Sequence, residues 1–163
     1  MTIEDYYGRD EETESEFDTR IPWRGGLAAG FIATLATSPF IFLTDPSMLS
    51  ETIAGIYGLE GILAVGLIAH LIHGTIFGLI FAVILSDPGI VYISNNLAKT
   101  VAAGLVFGFA LAIAGTGFFV PAWTQFIGLA NPPEMPWITP TLLTWHAIFG
   151  AVLGLLFPFL EEF

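Results

Sequence analysis

The chain has 163 residues, 55% apolar and only 12% charged, with a mean hydropathy of +0.78. A soluble domain carries about 25% charged residues, so this chain lacks the charge to coat a water-facing surface, and its apolar content excludes a disordered polypeptide. It has no cysteine and a net charge of −11, which excludes disulfide scaffolds, thiolate metal sites and cysteine nucleophiles and argues against nucleic acid as a partner.

Residues 1–22 read as an acidic, disordered cytoplasmic tail: Glu4, Asp5, Asp10, Glu11, Glu12, Glu14, Glu16 and Asp18 stand against Arg9 and Arg20, with almost no hydrophobic period. A signal peptide needs a basic start, and this one is acidic.

Four apolar stretches follow, Trp23–Leu43, Gly61–Leu85, Lys99–Val120 and Thr139–Leu160. Each has about 20–25 residues, enough at ~1.5 Å per residue to cross a ~30 Å hydrocarbon core. In lipid every backbone polar group must be satisfied within its element, so helices are predicted. Arg20, Arg24 and Lys99 flank one side, whereas 44–60 and 121–138 hold no Lys or Arg. Basic residues stay inside, so both termini and the loop 86–98 are expected in the cytoplasm. Trp23, Trp123 and Trp137 fall at the expected interfaces. The stretch Pro46–Leu59, with Met48, Ile53 and Ile56, reads as lying along the interface.

The chain also resembles itself. Leu27-Ala28-Ala29-Gly30 matches Val101-Ala102-Ala103-Gly104 at an offset of 74, and His70–Phe81 matches His146–Phe157 at 76 through H-x-I-x-G-x-x-x-G-L-x-F. The expected fold is therefore all-α: a polytopic membrane four-helix bundle built from two tandem two-helix repeats. The first transmembrane hairpin spans 23–85 and the second 99–163, in parallel orientation about an axis along the membrane normal. Each span carries a pair of glycines four apart: Gly26/Gly30, Gly74/Gly78, Gly104/Gly108 and Gly150/Gly154. Such GxxxG pairs let helix backbones approach closely.

All three histidines, His70, His73 and His146, lie in spans. An ionisable side chain there is costly and marks a candidate polar site. His70 and His146 share stripes with the paired glycines and are expected to meet near the axis. Four readings stand: polar glue between helices; a relay or transport path lined by Thr75, Thr116, Thr141 and Thr144; haem b between His70 and His146; and a metal held by all three, the weakest reading because no intramembrane carboxylate completes the set. No phosphate loop, G-x-S-x-G or H-E-x-x-H is present. Glu60 and Glu134, 74 apart, precede the second span of each repeat and read as exposed loop acids able to draw cations to the mouth.

Trp23-Arg24-Gly25-Gly26, Ile53-Ala54-Gly55-Ile56-Tyr57-Gly58-Leu59 and Ala69-His70-Leu71-Ile72-His73-Gly74 with Phe77-Gly78 resemble a family of small four-span haloarchaeal membrane proteins. The resemblance covers about residues 20–160 and implies topology and source but no residue roles. Proteins of that kind often carry a histidine kinase label, which needs an ATP-binding domain that four spans leave no room for. The expectation is a non-enzymatic structural or accessory membrane protein with no catalytic residue and no resident metal or cofactor. Its partners would be the lipid bilayer and a membrane protein or second copy joined through the glycine faces. A small transporter or channel is the alternative, and a haem b electron-transfer subunit the third reading.

Overall fold

The structure is a computed structural model that describes residues 21–161, so the acidic tail lies outside the described residues up to residue 20. Four helices are long and apolar enough to cross a membrane: α1 (Trp23–Thr44), α2 (Leu63–Leu85), α3 (Leu97–Phe126) and α4 (Pro140–Leu160). No strand occurs among the described residues.

Local chemistry sets several helix ends. The Asn96 side chain accepts from the Lys99 amide at 3.0 Å to start α3. Thr139 does the same for the Leu142 amide at 3.1 Å, with Pro140 in the first turn of α4. Both are N-caps that satisfy amides the helix cannot. Gly128, at φ 76°, turns the chain out of α3 in a conformation that costs other residues a clash.

The third helix runs six residues beyond the expected end at Val120, through Pro121 to Phe126, so Trp123 is helical. A proline inside a helix removes an amide. The stretch before it, Leu111–Phe119, is wound as a π-helix. The Gly117 carbonyl, four residues back, instead accepts from the Trp137 amide at 2.8 Å. The loop after α1 also differs from expectation. Met48–Ile53 forms a short π-helical segment whose Met48, Leu49 and Ile53 are buried with Ile41, Ala69 and Trp145. A Cβ on Gly66 would overlap the Leu49 carbonyl, so glycine in α2 lets this loop pack on protein.

Within each hairpin the helices are antiparallel and close. Gly30 lies against Gly74 and Gly78, and Gly104 against Gly150 and Gly154. These are corresponding positions at offsets of 74 and 76. The other glycine of each pair, Gly26 on α1 and Gly108 on α3, has no glycine at the corresponding place in the other hairpin. Gly108 is buried against the His146 carbonyl and Gly150, and the residue 74 before it is Thr34, not a glycine. Thr34 faces Gly74, so a hydroxyl-bearing side chain fills in the first hairpin the space that Gly108 leaves to backbone in the second. The pairs Gly26/Gly30 and Gly104/Gly108 are therefore staggered by one turn when the hairpins are aligned at that offset.

A Cβ on any of the eight paired glycines would overlap an atom of the partner helix. The faces of Gly26, Gly30, Gly74, Gly78, Gly104, Gly108, Gly150 and Gly154 are thus occupied by contacts inside the hairpins.

The hairpins meet unequally. The helix pairs in closest backbone contact are α1 with α2, α3 with α4, and α1 with α4. Helix α1 allows the last pairing because its second face is small. Gly25 lies against the Leu160 carbonyl, and Ala29 and Ala33 are fully buried with Phe149, Leu153 and Phe157. At the positions 74 further on, α3 has Phe107 for Ala33 and Leu111 for Thr37. These larger side chains pack against Phe81 and its neighbours, and α2 with α3 is not among the close pairs. The expected approach of α2 to α4 across a central axis is replaced by contact through rings, Phe81 edge-on to Phe157 at 5.4 Å.

Candidate functional site

The gap left between the hairpins is a cavity of about 490 Å³, within the ~300–1,000 Å³ range of small-molecule sites. It lies toward the end of the molecule that carries the 45–62 and 127–139 loops. All four helices and the first loop contribute to its wall, and His70, His73 and His146 all line it. Toward the opposite end the lining stops at Phe77, Leu111 and Phe149. Beyond them Phe81, Phe107 and Phe157 pack ring against ring. Tyr57, Phe119 and Trp123 line the cavity and are also exposed, so they edge its mouth.

The three imidazoles have separate partners. His146 Nδ1 lies 2.9 Å from the Leu142 carbonyl. A carbonyl only accepts, so Nδ1 carries a proton, and in the neutral ring Nε2 is an acceptor. The Thr116 hydroxyl donates to it at 3.1 Å. Gly108 sets the backbone beneath this ring, since α3 reaches the His146 carbonyl there with no side chain between. Most threonines on the long helices donate instead to the carbonyl one turn back, as Thr34, Thr37, Thr75, Thr124 and Thr144 do. Thr116 sits in the π-helical stretch, and its hydroxyl is turned to α4. His73 Nε2 is 2.6 Å from the Tyr57 hydroxyl, and the two rings stack at 5.9 Å. His70 Nε2 is the buried side-chain polar atom that finds no partner among the described residues.

His70 and His146 are brought to one cavity without touching each other by a hydrogen bond. The glycine stripes they share face the partner helix of each hairpin. His146 is tied within the second hairpin and His73 to the first loop, which is the polar-glue role for two of the three. Of the threonines expected to line a path, Thr116 does, whereas Thr75, Thr141 and Thr144 do not; Thr34, Thr37 and Thr52 take their place. Glu60 and Glu134 are exposed or loop-borne and lie off the cavity wall.

Haem ligation by His70 and His146 would need both Nε2 atoms turned to one iron, and Thr116 holds that of His146. The wall also has no Lys or Arg to meet propionates. Among the described residues no group of three or more His, Asp or Glu is arranged to hold a metal ion.

Sequence reading missed Tyr57 and Trp145. Trp145 is buried and donates from Nε1 to the Thr44 hydroxyl at 2.9 Å, joining α4 to the end of α1. Trp123 Nε1 donates to the Ile56 carbonyl at 3.0 Å, joining α3 to the first loop. Neither partner is visible as a spacing in the chain. No protein-family model, no curated protein and no solved structure matches this chain.

Proposed function

We propose that this chain is a non-enzymatic integral membrane protein with four spans and both termini in the cytoplasm. On this reading it grew by duplication of a hairpin, and it holds a small apolar molecule in the cavity between its hairpins. The observation that carries the binding role is the cavity itself: mostly apolar and aromatic walls, a mouth at one end and tilted and edge-on phenylalanines packed at the other. A blind pocket favours holding over conducting. The four helices and the basic residues confined to one side support the topology. The matching contacts of Gly30 and Gly104 in the two hairpins support the duplication.

Two measurements test this. Absence of native cysteine allows single-cysteine labelling with an impermeant reagent in intact cells: Glu51→Cys should label from outside and Asp87→Cys only after permeabilisation. The reverse pattern would overturn the orientation. For binding, 1-methylnaphthalene should quench Trp fluorescence saturably in nanodisc-held protein. A Cβ on Gly115 meets open space and the residue lines the cavity, so Gly115→Phe should crowd it and weaken the saturable quenching. Unsaturable quenching, or no effect of Gly115→Phe, would remove the binding role.

A further inference from the structure

The polar atoms of the cavity wall show which ligand it suits. The hydroxyls of Thr34 and Thr37 are spent on carbonyls of their own helix. Thr116 is spent on His146, and Tyr57 on His73. Of the buried side-chain polar atoms among the described residues, His70 Nε2 is left without a partner; the Thr52 hydroxyl also lines the cavity, from the first loop, and is not one of these buried atoms. A buried polar group left unpaired is costly, and the mostly apolar wall around it offers few partners. Rotation about the Cβ–Cγ bond of histidine is soft, so the ring can present a nitrogen to an occupant of the cavity it lines.

Charge narrows the class further. No Asp, Glu, Lys or Arg lines the cavity, so a charged head would enter without a counter-ion. The wall carries Phe77, Phe119, Trp123, Trp145 and Phe149, rings that favour offset or edge contacts with another ring. We propose that the cavity binds a neutral, phenol-type molecule: an aromatic, largely apolar body with one hydrogen-bonding hydroxyl, paired by His70. The imidazole nitrogen accepts from the ligand hydroxyl. This inference rests on the binding role proposed above and adds to it the polar anchor and its partner. A lipid acyl chain, the competing occupant, fills the volume and leaves His70 unpaired.

The test compares 1-naphthol with 1-methylnaphthalene, a close match in shape without the hydroxyl, on the full chain in nanodiscs, each corrected for partition into protein-free discs. The expected result is 1-naphthol binding about tenfold tighter. His70→Phe should erase that preference while keeping 1-methylnaphthalene binding, and His70→Gln should keep part of the preference. A readout without substitution is the ¹⁵N spectrum of histidine-labelled protein: the His70 ring resonances should shift with 1-naphthol and stay fixed with 1-methylnaphthalene. Equal affinity for both probes, or no His70 shift on 1-naphthol saturation, would overturn the His70 anchor and leave a purely apolar pocket. Failure of both probes to saturate would instead overturn the binding role beneath it.

Discussion

Two seams between the hairpins occupy corresponding places and differ in outcome. Along α1 and α4 the contact is small against large: Gly25, Ala29 and Ala33 accept Leu160 and the side chains of Phe149, Leu153 and Phe157. Along α3 and α2, Ala103 matches Ala29, but Phe107 stands at the place of Ala33 and Leu111 at that of Thr37, and these two meet Phe81 and its neighbours as large against large. The first seam is closed, and the second opens into the cavity. Two helices that share a glycine face for one neighbour can therefore differ on the adjacent face, and that difference makes room for a site. The two hairpins match where backbones touch and differ where side chains decide the spacing.

The strongest way to break the comparison is to thicken a closed contact. Gly78→Ile puts a branched side chain against Gly26 and Gly30 backbone and should destabilise the fold by about 3 kcal/mol or more, since overpacking a tight interface costs that order. Unfolding in mixed detergent would show it. Gly115→Ala, at the open seam, should change stability by less than about 1 kcal/mol, because its Cβ meets open space. Equal losses at both sites would mean that the seams do not differ in tightness.

A sharper probe moves the small residues of α1 onto α3. Phe107→Ala with Leu111→Thr recreates the α1 face at the open seam and should cost about 3 kcal/mol in lost ring packing. It should also draw α2 and α3 together. Spin labels at Ile68 and Ile113, both exposed, would report a shorter distance. An unchanged distance would show that these two side chains do not hold the gap open.

Smaller effects belong to the polar ties around the cavity. Thr116→Val should cost about 1–3 kcal/mol by leaving His146 Nε2 without its donor. The His146 ring should gain mobility in ¹⁵N relaxation, and an unchanged ring would deny the tie. Thr44→Val removes the acceptor of Trp145 Nε1 and should cost about 1 kcal/mol. A double-mutant cycle with Trp145→Phe isolates that bond, and additivity would reduce it to a passing contact.

Much of the helical frame was readable in the chain, because spans without charge and of sufficient length leave few alternatives. The glycine pairs were visible too, yet their partners were not: a stripe says that something comes close, not which helix. The open seam was hidden by the way a repeat is noticed. Matches such as Gly30 with Gly104 attract attention, while the mismatches of Ala33 with Phe107 and of Thr34 with Gly108 carry the architecture. The lengthened α3 escaped because Pro121 reads as a terminator, and only the wider π turn before it keeps the helix going. The histidines were legible as unusual residues in apolar surroundings. Tyr57 was not, since it reaches His73 from a loop that packs on α2 where Leu49 lies against Gly66.

The third helix has 30 residues where the others have 21 to 23. At roughly 1.5 Å per residue it is about 45 Å long, against a hydrocarbon slab of ~30 Å. On the four-span reading such a rod must lean or protrude, and the choice depends on how thick the surrounding lipid is. Thicker lipid would stand it upright beside α2, and thinner lipid would splay it away. Pocket width would then track acyl-chain length, so naphthol affinity measured across nanodiscs of graded lipid length should pass through an optimum, and a flat series would show the rod to be indifferent to its surroundings.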